Sequence, residues 1–99
     1  MAIEQVQIIA DGASDVVGNI PNDKVPIRSV AIVADTWGGS TSAALEGSLD
    51  GIRFFPLEDN DGELIVTTIN KHVVLKYGLI IRVTITSFSG SAGMYLQYT

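Results

Sequence analysis

The sequence predicts an all-β fold: a small antiparallel β-sandwich, jelly-roll or immunoglobulin-like, with about eight or nine short strands in a single domain over residues 1–99. Three observations predict it. Apolar and polar residues alternate with a period of two, which places successive side chains on opposite faces of a strand. The runs between breakers are rich in Val, Ile, Thr, Phe and Tyr, which suit a half-buried pleated surface. Turn signals recur at roughly ten-residue spacing, as in antiparallel sandwiches, and no window of eleven or more residues keeps a helical stripe.

Taken in order, the expected strands are Glu4–Ala10, Val16–Ile20, Ile27–Ala34, Ala43–Asp50, Arg53–Leu57, Glu63–Ile69, His72–Lys76, Leu79–Thr86 and Met94–Tyr98. Leu79–Thr86 alternates most cleanly. Leu79, Ile81, Val83 and Ile85 share the face expected to meet the core, and Ile80, Arg82, Thr84 and Thr86 the outer one. In Ala43–Asp50, Ala43, Leu45 and Leu49 take the inner face, with Glu46, Ser48 and Asp50 opposite. Asp11-Gly12, Asp50-Gly51 and Asp61-Gly62 are turn dipeptides, because glycine tolerates positive φ and aspartate bonds the turn backbone. Gly38-Gly39, Tyr77-Gly78 and Ser89–Gly93 break the remaining strands. Asn22–Pro26 reads as a loop crossing between sheets, since Pro26 biases Val25 to extended geometry.

Composition excludes several classes of function. Eleven acids against six bases give a net charge of −5, and Lys24, Arg28, Arg53, Lys71, Lys76 and Arg82 are scattered. No basic run tracks a phosphate backbone, so direct nucleic-acid binding is not expected. Apolar stretches such as Leu79–Ile81 fall far short of the ~20 residues that span a bilayer, and Met1–Gln5 does not open like a signal peptide, so no membrane association is expected. Cysteine is absent, which removes disulfides and thiolate metal sites. Charged residues are only 17% of the chain against 46% hydrophobic, which leaves apolar surface for a partner to cover.

No constellation of residues argues for catalysis. His72 is the single histidine, and no serine sits in a Gly-x-Ser-x-Gly elbow to partner it. Glu46 and Asp50 share a predicted strand face, but a carboxylate pair needs a cleft that nothing here supplies. Glu58–Glu63 would offer Asp59 and Asp61 to calcium, yet it lacks the EF-hand spacing, and a solvated hairpin turn accounts for it. Gly38–Ser42 lacks the Gly-Lys-Ser/Thr ending of a phosphate loop and a following helix. Neither cofactor, metal nor catalytic residue is expected, and the chain is not read as an enzyme. The seven aromatics, Trp37, Phe54, Phe55, Tyr77, Phe88, Tyr95 and Tyr98, would serve a carbohydrate-binding sandwich as stacking surfaces, with Trp37 and Phe55 foremost. Phe54 and Phe55 are adjacent, so they point to opposite sides of a sheet. Trp37 is placed to plug one end of the sandwich.

The stretch Trp37–Leu57 carries a more specific pattern. A Trp-Gly-Gly turn leads into an alternating strand, then Ser48-Leu49-Asp50-Gly51, the aromatic Phe54 and Pro56-Leu57; later comes Gly78–Thr84 with its Arg82-Val83 pair. This resembles small β-sandwich structural proteins of tailed bacteriophages, with Phe54 standing where such proteins often carry tryptophan. The resemblance implies a virion structural protein, foremost a capsid decoration or cement protein that binds and stabilises the assembled head. A head–neck or tail component is the neighbouring alternative. It implies localisation in the virion, contact with the major capsid protein or other virion proteins, and a homo-oligomer, with trimers at local three-fold positions. Trp37, Phe55 and Arg82 are the expected partner-contact residues.

Overall fold

The alternation is realised in two antiparallel sheets. The computed structural model describes residues 4–14, 16–18, 29–58, 61–75 and 80–99. Among these residues ten strands form: β1 (Glu4–Ile8), β2 (Gly12–Ala13), β3 (Val17–Gly18), β4 (Ser29–Val33), β5 (Ser42–Ser48), β6 (Phe55–Pro56), β7 (Val66–Thr67), β8 (Lys71–Val74), β9 (Ile80–Thr86) and β10 (Met94–Tyr98). The first sheet has the order β1-β10-β4-β8. In the second, β9 and β5 form the centre; β2 and β3 both pair with β9, and β6 and β7 both pair with β5. The fold is an all-β sandwich, as the periodicity predicts.

Each central strand turns one set of alternate residues inward. Ala43 and Leu45 of β5, and Ile81, Val83 and Ile85 of β9, face Val30 and Ile32 of β4 and Met94 and Leu96 of β10; all are buried in one cluster. Burial of apolar area on this scale is the main favourable term in folding, at roughly 25 cal/mol per Å². The outward residues of the same strands are at least partly exposed, with two exceptions that face each other at the ends of β5 and β9, Ser48 and Ile80, and Ser48 is wholly buried under its own turn. Ile80 lies on the outer side by parity, yet only 1% of it is exposed. The turn after β5 folds back over it, and Gly51 passes so close that a β-carbon there would stand 3.3 Å from the Ile80 Cδ1. The same turn ends β5 at Ser48, so Leu49 leaves the strand and is 75% exposed instead of joining the core.

Residues 9–11, 34–41, 68–70 and 87–93 cross between the sheets, and the strand registers gather all four links at one end of the sandwich. They are tied to one another there. The Phe88 amide donates to Asp11 Oδ1 at 2.5 Å, Thr36 and Ala92 exchange backbone bonds, and Asn70 Oδ1 accepts from the Ala34 amide. Residues 68–70 also fix the lateral arrangement. Three residues reach at most about 10 Å, which is the spacing of packed sheets. The β8 edge of the first sheet therefore lies on the same side as the β6–β7 edge of the second.

On that side the chain makes a lateral arm. At Leu45, between the stretches of β5 paired with β7 and with β6, the amide donates to Ile65 O (3.0 Å) and the carbonyl accepts from Leu57 N (3.1 Å). Ile65 N donates to Leu57 O (2.8 Å), and Glu58 bridges Leu64. Leu57 and Ile65 anchor the base of the arm in the core. Phe55 and Val66 mark where it leaves the sheet.

Candidate functional site

The surfaces that remain for function are the two outer sheet faces and the lateral side. On the outer face of the second sheet, Glu46 of β5 stands opposite Arg82 of β9. Arg82 Nε donates to Glu46 Oε1 at 3.0 Å, and the Thr84 hydroxyl donates to the same oxygen at 2.5 Å. The Arg82 guanidinium lies over the Phe54 ring, 3.9 Å from its centroid, a cation–π contact. Burial pushes the Glu46 carboxyl up, but the Thr84 and Arg82 bonds and the Arg82 charge outweigh it and hold the carboxyl below its ordinary value. The strand parity placed both residues outward; the pairing follows only from the register.

The Asp50 hairpin is a self-contained lock. Ser48 Oγ accepts from the Asp50 and Gly51 amides (3.2 and 2.9 Å) and donates to Asp50 Oδ1 (2.9 Å). Asp50 Oδ1 also accepts from the Ile52 and Arg53 amides, both at 2.8 Å, and Oδ2 pairs with the Arg53 guanidinium at 2.9 Å. The Arg53 and Ile52 amides, with the Ser48 hydroxyl, hold this carboxyl far below the usual carboxylate range. Glu46 and Asp50 therefore each serve local structure, and no shared carboxylate site forms between them.

These two depressed carboxyls make stability sensitive to acid. A carboxyl whose folded value lies below its unfolded one stabilises the fold fully above the unfolded value, about 4, and loses that contribution as pH falls toward the folded value. Urea midpoints measured from neutral pH down to about pH 2 are expected to fall below about pH 4. Glu46→Gln and Asp50→Asn are each expected to start less stable at neutral pH and to flatten this acid limb. Identical limbs in wild type and both variants would remove the carboxyls from the account.

Trp37 sits half-buried against the core at the linked end, where its Nε1 donates to Asn70 Oδ1 at 2.8 Å. Asn70 thus ties the exit of β4, the tryptophan and the β7–β8 link through one oxygen. Nothing in the residues around Asn70 distinguishes it in the sequence. The Gly-Gly turn beside Trp37 is closed by the Ser89–Gly93 stretch. Gly38 N donates to Ser91 Oγ (2.9 Å), buried Thr41 bonds Ser91 Oγ (2.8 Å), and its hydroxyl donates to Ser87 O (2.6 Å). The Gly38 amide is thus engaged within the fold rather than offered to phosphate.

The other expected site residues are dispersed. Phe54 and Phe55 do point to opposite sides: Phe54 covers Arg82, while Phe55 pairs with Gly47 at the lateral edge and is 40% exposed. His72 lies exposed on the outer face of the first sheet, whereas Glu46 is on the outer face of the second. The full thickness of the sandwich separates them, so the arrangement offers no histidine–carboxylate pair for proton transfer. Asp61 is exposed near the arm tip, and Asp59 lies outside the described residues, as do Tyr77, Gly78 and Leu79. Among the described residues no three His, Asp or Glu side chains are grouped to hold a metal ion, and no helix is long and apolar enough to cross a membrane.

The outer face of the first sheet has a different character. Its rows, read across the strands, are Gln7–Tyr95–Val33, Gln5–Gln97–Ala31–His72 and Thr99–Ser29–Val74. Glu4 and Lys71 occupy the alternate, inward rows beside Tyr98 and Ile32. Among the described residues these three rows contain no Asp, Glu, Lys or Arg; the next row outward, Gly93–Asp35, carries one carboxylate. Exposed apolar side chains are concentrated in one part of the sequence. Of the nine large apolar side chains exposed among the described residues, seven fall between Leu49 and Val74: Leu49, Ile52, Phe55, Leu64, Val66, Ile69 and Val74. They do not form one patch: Leu49 and Ile52 lie on the Asp50 turn, Phe55, Leu64 and Val66 on the arm and the strands beside it, Ile69 on the link at the joined end, and Val74 on the outer face of the first sheet. No protein-family model, curated protein or solved structure matches the chain.

Proposed function

We propose that this chain is a bacteriophage virion structural protein, foremost a decoration or cement protein that binds and stabilises the assembled head. The observation that carries this reading is the exposure of the large apolar side chains Phe55, Leu64 and Val66 on the arm and the short strands beside it. Exposed apolar side chains at such an edge are costly to leave in water and favour docking against a partner. The resemblance of Trp37–Leu57 to tailed-phage sandwich proteins supports the choice of partner. In this reading the partner is the major capsid protein or another virion protein, and Phe55 lies within the contact.

Arg82 and Trp37 take different roles under this proposal. Arg82 presents an outer-face charge that Glu46 and Phe54 hold in place, with 31% of its side chain exposed. Trp37 orders the linked end through Asn70 rather than reaching outward. Homotrimers at local three-fold positions would repeat each weak contact, and on a closed shell the second and third contacts form at high effective concentration. A small domain then holds firmly without a large interface.

The test uses particles that lack the chain. Purified protein is expected to bind them and to raise the temperature at which they release their contents. Val66→Glu and Phe55→Glu place charge on the docking side without entering the core, and each is expected to weaken binding roughly tenfold or more. Absence of binding together with unchanged particle stability would overturn the proposal.

A further inference from the structure

We propose that the outer face of the first sheet is a binding face for an uncharged oligosaccharide, with Tyr95 as the stacking residue and Gln5, Gln7 and Gln97 as the hydroxyl partners. The inference is independent of the virion reading, which rests on the lateral side. Strand register brings these four side chains into two adjacent rows: Gln7 stands beside Tyr95, and Gln5 beside Gln97. Gln97 Nε2 donates to Gln5 Oε1 at 3.2 Å, which orders both amides along the face before any ligand arrives. Gln5 and Gln7 are exposed on the edge strand, and Tyr95 and Gln97 are half-buried on the central one.

The chemistry of the face selects the occupant. A glutamine amide offers two donors and an acceptor, and a sugar hydroxyl both donates and accepts, so the two groups match without a charge on either side. A tyrosine ring supplies an apolar surface with a polar tip, suited to the C–H face of a pyranose ring. Among the described residues these rows carry no Lys or Arg, and the charge adjoining them is the Asp35 carboxylate beside Gly93, so an anionic ligand finds no ionic partner here. Size and polarity suit a small ligand. Four strands about 4.8 Å apart and five residues at about 3.3 Å give a flat extent of roughly 300 Å². Covering three glutamines with protein would cost their hydration unless each found a new bond. A short oligosaccharide fits the area and satisfies the amides. Trp37 and Phe55, the stacking residues expected from sequence, both lie away from this face.

The experiment is an amide-resonance titration of the full chain with uncharged cello-, malto- and chito-oligosaccharides and, separately, a sulfated oligosaccharide. At least one uncharged probe is expected to saturate at millimolar concentration, to shift residues of β1, β10 and β4 in the outward rows, and to bind equally at low and high salt. Tyr95→Ala and Gln97→Glu are each expected to weaken binding roughly tenfold, while Phe55→Glu leaves it unchanged. Gln97→Glu alters an outward amide only, so it remains informative should Tyr95→Ala unfold. Failure of every uncharged probe to bind, preference for the sulfated one, shifts on another surface, or unaltered affinity in the folded variants would overturn the inference.

Discussion

Leu45→Ala is expected to cost about 2–5 kcal/mol of folding stability, a large part of the roughly 5–15 kcal/mol typical of a single domain. Leu45 is 1% exposed and belongs to the central cluster. It also occupies the branch point of the second sheet, where its own amide and carbonyl hold Ile65 and Leu57. Truncation leaves a cavity beneath two elements at once, the β5–β9 ladder and the base of the arm. Urea unfolding should show a lower midpoint with little change in slope, since the area exposed on unfolding is nearly the same. Gln97→Ala, on the outer face, is the control, expected to stay within about 0.5 kcal/mol of wild type. Equal effects at the two positions would mean that inward and outward faces have been misassigned.

The second large effect is a contrast between neighbouring glycines. A β-carbon on Gly38 would overlap the Ser89 carbonyl oxygen and stand 2.7 Å from the Thr41 Oγ1. The carbonyl is backbone, and Thr41 is buried and bonded to Ser87 and Ser91, so neither yields easily. Gly38→Ala is expected to cost about 1–3 kcal/mol as an overpacked site. A β-carbon on Gly39 would meet nothing within 4 Å, and Gly39→Ala is expected to be neutral or to stabilise by up to about 1 kcal/mol. Thermal unfolding of the two variants reads the difference. Similar melting temperatures would contradict the close packing of residues 87–91 on the Trp-Gly-Gly turn.

The fold was legible wherever alternation ran uninterrupted. Met94–Tyr98 agrees residue for residue, and the inward set Ile81, Val83 and Ile85 lies in the core as parity requires. Parity failed where the chain bends back on itself. Ile80 and Leu49 exchange environments because the Asp50 turn covers one and carries off the other, and no alternation rule encodes a turn folding over its own sheet. Asp11-Gly12 reads as a turn, and Gly12 has the positive φ of 106° that this requires, while Gly12 and Ala13 also pair with Ile85 and Thr84 of β9. Expected strands such as Glu63–Ile69 shrink to two paired residues, because β6 and β7 share a single neighbour and the chain between them leaves as the arm.

The candidate surfaces were less legible than the core. Outward placement of Arg82 and Glu46 followed from parity, but their pairing required knowing which strands are neighbours. The glutamine-rich rows of the first sheet are invisible in sequence for the same reason. Gln5, Gln97 and His72 are distant along the chain and meet only through the β1-β10-β4-β8 order. The exposed apolar residues from Leu49 to Val74 resemble core material in sequence, and only the fold shows that turns, sheet edges and the arm leave them in water.

The most direct measurement of the proposed role is the number of copies of this chain in a purified particle, obtained by quantitative mass spectrometry against the major capsid protein. A decoration protein on a symmetric shell predicts copies in the hundreds, in fixed ratio to the capsid subunit. A dozen or fewer would move the chain to a neck or tail ring and contradict decoration, and none would contradict a virion role altogether.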